Sequence, residues 1–152
     1  MMNSGRLTVI VIVGVTLIFG VGVWYSSTRA YYAPLETVEV NLQRSDGSFV
    51  TVDITEAQGI DADTSPLRYR ACFVLQGVPD MTEALAYDDP TPLIAPNWFD
   101  CFDAIAIGTA LEQGQATAYL GTRNIHRGVD RVVAIFPDGR GFVWHQLNGT
   151  LE

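Results

Sequence analysis

Cys72 and Cys101 have the widest chemical range in this 152-residue chain. As thiolates they could attack an electrophile or ligate a metal, and oxidised they could form a bridge. For nucleophilic work, Arg68 and Arg70 would share a strand with Cys72 and lower its thiol pKa. Zinc and iron–sulfur sites need four ligands, often in close pairs. Neither a Cys-x-x-Cys nor a Cys-x-x-Cys-His haem signature occurs. Both cysteines have apolar neighbours, Ala71 and Phe73 around one and Phe99 and Phe102 near the other. That setting favours a disulfide first, buried free thiols second, and a reactive or metal-bound thiol last.

The other chemical candidates have plainer alternatives. Asp100 and Asp103 could act as an acid–base pair, but carboxylates in the first turns of a helix also suit its dipole. His126 and His145 could be ligands or bases, though no matched partner stands beside either in the sequence. Asp61-x-Asp63-x-Ser65 has the opening spacing of a calcium loop. Pro66 stands where that loop needs Gly, and Cys72 where it needs Glu. Arg123, His126, Arg127 and Arg131 gather positive charge in an otherwise acidic region, as a contact for an anion or an acidic partner would. The alternative is that they pair with surplus carboxylates. No cofactor is implied.

The elements that must position these residues follow from periodicity and turns. Val38, Val40 and Leu42 alternate with polar residues, as do Val50, Val52 and Ile54. A three-residue loop, Ser45-Asp46-Gly47, pairs Leu42 with Val50, Val40 with Val52 and Val38 with Ile54, so that one face is apolar. Residues 55–65 read as an acidic turn region and Leu67 to Leu75 as a strand. On that strand Tyr69, Ala71 and Phe73 point one way, Arg70 and Cys72 the other. A brief helix is expected over Met81 to Tyr87. The main helix is expected from Asn97, as N-cap, to Gln113, with Gly114 as its stop. Its apolar stripe would be Trp98, Phe99, Cys101, Phe102, Ile105 and Ala106. Ala116 to Leu120 reads as a strand, and Gly121 to Gly128 as a polar turn. The loop Pro137-Asp138-Gly139 then sets Ala134 opposite Phe142, Val132 opposite Trp144, and Arg131 opposite His145. The fold class is α+β, a mostly antiparallel sheet covered by one main helix.

Ahead of this domain lies Leu7 to Tyr25, nineteen residues without a charge. As a helix it would reach roughly 28 Å, close to the ~30 Å of a bilayer core. Trp24 and Tyr25 sit where an interfacial belt belongs, and Arg6 and Arg29 bracket the run. The chain divides into a cytoplasmic tail (1–6), a transmembrane helix (7–25), a juxtamembrane linker (26–36) and a soluble domain (37–152). A short tail before an uncleaved signal-anchor places the domain outside the inner membrane, in the periplasm. The alternative is a signal peptide cleaved at Thr28-Arg29-Ala30, but the apolar run exceeds the usual ~7–15 residues of a signal core. Thr16 and Gly20 form a small-xxx-small pair that could seat another helix, although such pairs are common.

Beyond residue 30 the chain carries seventeen carboxylates against seven arginines, a net charge of −10. That balance excludes nucleic acid as a partner, because affinity there comes from neutralising phosphates. It also opposes broad docking on anionic lipid.

Three blocks then stand out: Asp61-Ala62-Asp63-x-Ser65-Pro66-x-Arg68-Tyr69-Arg70-Ala71-Cys72-Phe73, Trp98-Phe99-Asp100-Cys101-Phe102-Asp103-Ala104, and Asp130 to Ile135 with Gly139 to Gln146. With them the chain resembles a small single-span alphaproteobacterial family of unknown function. Some members carry a histidine-kinase label, yet no phosphoacceptor helix or nucleotide-binding Gly-rich pattern occurs here. The family's members often continue into a Pro- and Cys-bearing tail, whereas this sequence ends at Glu152. The resemblance implies no catalytic residues.

Three function classes result. The first is an anchored, non-enzymatic interaction or assembly module with a membrane-protein partner or self-association. It would use aromatics such as Tyr31, Tyr32, Tyr87, Trp98 and Tyr119. The second is a periplasmic sensor or small-anion binder using Arg123 to Arg131. The third is a small thiol enzyme on Cys72 or Cys101. The first is the leading expectation.

Overall fold

The computed structural model describes residues 3–77 and 79–151, in two compact units. Met1 and Met2 of the expected tail, and Val78 and Glu152 of the expected domain, lie outside the described residues. The first unit is helix α1, Ser4–Tyr25, which runs into a π-helical turn, Ser26–Ala30. Together they form a 27-residue helical stretch apolar enough to cross a membrane. Its hydroxyls turn back onto its own carbonyls: Thr16 to Ile12, Ser27 to Val23 and Thr28 to Trp24, at 2.7–2.9 Å. This is how a polar side chain is satisfied in hydrocarbon.

The second unit holds strands β1 (Ala33–Pro34), β2 (Val40–Gln43), β3 (Phe49–Val52), β4 (Ile54–Asp61) and β5 (Arg70–Leu75). Helix α2 (Ala104–Glu112) and strands β6 (Thr117–His126), β7 (Val129–Ile135) and β8 (Arg140–Leu147) complete it. Six strands form an antiparallel sheet in the order β1-β4-β5-β8-β7-β6, and β2–β3 form a separate hairpin. The fold is α+β, an N-terminal apolar helix followed by a mostly antiparallel sheet domain with a second, short helix.

Both hairpin registers follow from their three-residue loops. Leu42 pairs with Val50 and Val40 with Val52; Ala134 pairs with Phe142, Val132 with Trp144 and Arg131 with His145. Gly47 at φ 84° and Gly139 at φ 88° take the left-handed positions that such loops require.

The sheet is buried on both faces, which is why Gly141 to Gln146 are all buried without alternation. On one face Tyr69, Ala71, Phe73, Val133 and Val143 meet Val40, Leu42 and Val52 of the β2–β3 hairpin. On the other, the register brings Cys72, Phe142, Trp144, Val132, Ala134, Ala118 and Leu120 onto one surface. There Phe102 meets the rings of Phe142 and Trp144 edge-on, at 5.9 and 6.4 Å.

Several expected elements are corrected. Residues 55–65, expected as a turn, largely belong to β4, whose outer side is paired only by the two residues of β1. Its period is broken by a bulge between Thr55 and Gln58, with Glu56 at φ 48°. Ile54 therefore pairs with Leu75, and no pairing with Val38 forms. Met81 to Tyr87 is not a helix. It runs between two sheet edges, Leu85 N–H reaching Gln43 O and Leu120 N–H reaching Leu85 O, and Glu83 sits at φ 65°.

The main helix starts at Ala104 rather than after Asn97. Asp103 is its N-cap, and its carboxylate accepts from Ile105 and Ala106 N–H at 3.0 Å. The aromatic stripe ahead of it imitates helical spacing but is a turn that inserts Phe99 and Phe102 into the core. Ile105 and Ala106, expected on the buried stripe, are exposed, and Ile107 and Ala110 are the buried positions. Gly121 to His126 continue β6, so the turn shrinks to Arg127-Gly128. In the expected linker, residues 26–30 are helical and Ala33–Pro34 pair with β4.

Candidate functional site

Adjacent residues of β7 and β8 point to opposite faces, so one hairpin supplies two separate polar clusters. The register pairs Arg131 with His145, and one step along it pairs Asp130 with Gln146. On the first face Arg131 Nε donates to His145 Nε2 at 3.0 Å. His145 Nδ1 lies 2.7 Å from Pro66 O. With Nε2 accepting, Nδ1 must carry the proton and donate to that carbonyl. The imidazole stacks on Tyr69 at 4.7 Å between ring centres, and the Arg131 guanidinium lies over the same Tyr69 ring at 4.3 Å.

His145 is only 2% exposed. Burial lowers its pKa to about 4 and the Arg131 charge adds to that, against the opposing Pro66 hydrogen bond. The imidazole is therefore neutral at pH 7 with both nitrogens engaged. Burial likewise raises the Tyr69 hydroxyl above its ordinary value. The His126 ring stands 6.0 Å from that of His145 and is exposed.

On the opposite face Asp130 is fully buried. Its carboxylate accepts from Asn124 N–H and Asn148 Nδ2 at 2.7 Å and from Tyr87 Oη at 3.3 Å. Arg123 Nη1 lies 3.6 Å away. Burial and the neighbouring carboxylate push the Tyr87 hydroxyl up to about 12. Gln146 accepts from Trp144 Nε1 at 3.0 Å and Thr91 N–H at 2.7 Å.

Arg70, buried beside Cys72, donates to the carbonyls of Leu93, Leu67 and Tyr69 at 2.6–2.8 Å. It ties the segment before α2 to the sheet rather than facing a thiolate. Cys72 and Cys101 meet at disulfide distance, their Cα atoms 6.2 Å apart.

The arginine-rich group does not form one cluster. Arg123 is drawn to Asp130, Arg131 to His145 and Tyr69, while Arg127 and His126 stay exposed at the β6–β7 turn. Asp100 is exposed and Asp103 is occupied by capping. Among the described residues, no three His, Cys, Asp or Glu side chains gather as a metal site would require.

Sequence reasoning found the Arg131–His145 pair but missed Tyr69 as its companion and the Asp130–Gln146 cluster on the opposite face. The Asp130–Gln146 pairing was available from the same register. The contributions of Tyr87, Asn124 and Asn148 were not, because they depend on the distant paths of three loops.

No curated protein and no solved structure matches the chain. Residues 39–152 match a family of unknown function, DUF6446. That match takes in the hairpin β2–β3, the sheet from β4 onward and both polar clusters. The chain belongs to this family of unknown function.

Proposed function

We propose that the chain is a membrane-anchored interaction or assembly module whose domain is exported, tethered by an uncleaved α1. One observation carries this reading. Both cysteines and two of the four side chains expected of an anion site are engaged within the fold, Cys72 with Cys101, Arg123 with Asp130 and Arg131 with His145, which leaves His126 and Arg127 exposed at one turn. What remains is an acidic domain tethered to an apolar helix, and tethering raises its effective concentration towards other membrane proteins. The proximity of the cysteines supports an oxidising compartment, since disulfides persist in the periplasm and not in the cytosol. Thr28-Arg29-Ala30 continues the helix, which supports anchor over leader.

Blue-native gel separation of gently solubilised native membranes tests the reading. The protein should migrate in one discrete complex with a membrane-protein partner or with itself. Migration as a lone monomer would overturn the reading. Reporter fusions after Glu152 test export: periplasmic alkaline-phosphatase activity is expected, and fluorescence from a cytoplasm-only reporter would reverse the orientation.

A further inference from the structure

Helix α2 reads AIAIGTALE, and apart from Thr109 and Glu112 its side chains are apolar. Yet only Ile107 and Ala110 are buried, and Ile105 is 76% exposed. Beside it Ile94 is 77% exposed, and the two isoleucines line one shallow cleft of about 290 Å³ floored by Phe99 and Phe102. Among the described residues these are the two most exposed large apolar side chains of the sheet domain. The cleft is also tied to the sheet. Arg70 fixes Leu93 O from below, and Cys101, between Phe99 and Phe102, sits against Cys72.

Above the buried Arg70, the exposed charge of this segment is one-sided. From Asp88 to Glu112 the chain carries five carboxylates and no basic residue. Asp100 and Asp103 border the cleft, and Asp89 and Glu112 share the next depression along α2.

We infer that the face formed by α2 and Ile94 docks an amphipathic basic segment of another membrane protein. One aliphatic side chain of that segment would enter between Ile94 and Ile105, and its Arg or Lys residues would face Asp100 and Glu112. The acidic border selects against a second copy, whose matching face would bring like charges together. The inference rests on the interaction-module reading and names the surface and the partner chemistry.

The test places a photo-crosslinking amino acid at position 105 of the full chain in its native membrane, with position 49 on the β2–β3 hairpin as control. Position 105 should capture one protein, through a segment rich in Arg or Lys alternating with aliphatic residues, and position 49 should not. That segment, made as a peptide, should bind the full chain in nanodiscs and lose at least tenfold in affinity to Ile94→Asp or Ile105→Asp. Non-specific attraction to an acidic domain would instead strengthen with each added carboxylate, and that result would overturn the inference. Capture of a second copy, or of an acidic or uncharged segment, would also overturn it. Capture only at position 49 would reject this surface while leaving the module reading standing; capture at neither, with a lone monomer on native gels, would reject both.

Discussion

Arg131 Nε donates to His145 Nε2 across the β7–β8 ladder at 3.0 Å, so the buried imidazole is locked as its Nδ1–H tautomer. A second proton on Nε2 would set two donors against each other beside a guanidinium. That geometry makes the domain sensitive to acid through one side chain.

The direction follows from the depressed pKa, from 6.5 to about 4. Between those values the unfolded chain binds a proton that the folded chain does not, so stability falls as pH falls. The contribution is complete above 6.5, is lost on the way down to about 4, and amounts to roughly 3 kcal/mol. Thermal melts from pH 8 to pH 4 should show this decline. His145→Gln should be less stable at pH 7 and show a shallower slope in that window. An unchanged slope would assign the acid sensitivity to other groups.

The cysteine pair separates two readings of the compartment. A bridge between Cys72 and Cys101 closes a loop of sequence separation 29. It should stabilise by roughly 3.5 kcal/mol on the chain-entropy estimate. Protein taken from membranes should resist alkylation without reductant, and Cys72→Ala with Cys101→Ala should lower the melting temperature by several degrees. Two alkylatable thiols would argue for a reducing compartment.

The same pair shows what the sequence could and could not reveal. Two cysteines in apolar settings were readable as partners, and the β7–β8 register was readable because Gly139 confines its loop. The start of α2 was hidden because Trp98, Phe99, Cys101 and Phe102 have helical spacing while packing as a turn. Strand β4 was hidden because Thr55 to Gln58 are all exposed, so no apolar alternation marks them, and its bulge shifts the period. Asp130 carried no signal of its role, since its partners come from positions 87, 124 and 148, which only tertiary structure brings together.

Asp130 and Arg123 should respond very differently to truncation. Asp130→Ala removes the buried carboxylate that ties together Asn124, Asn148 and Tyr87 and should cost about 2–3 kcal/mol. Arg123, with its side chain 56% exposed, should cost about 1 kcal/mol or less when changed to Ala. Urea unfolding of both variants measures the difference. If Arg123→Ala instead left stability intact and abolished a thermal shift given by phosphate, the anion-binding function would return.

The sheet domain should begin at Ala33, ahead of the family match at residue 39. Ala33 and Pro34 pair with the outer edge of β4, Leu35 N–H donates to Gly59 O at 2.8 Å, and Leu35 and Val38 pack on the core. A fragment of residues 33–152 should therefore melt cooperatively without α1. A fragment of residues 40–152 should be less stable by about 2–4 kcal/mol, from lost apolar burial, and prone to aggregate through the uncovered β4 edge. Gly59 supplies the internal control. A Cβ there would stand 2.7 Å from Leu35 Cδ1 and 2.9 Å from Val38 Cγ2. Gly59→Ala should destabilise the longer fragment by about 1–3 kcal/mol through overpacking and be close to neutral in the shorter one. Equal effects in both fragments would mean that residues 33–38 do not pack on the sheet in solution.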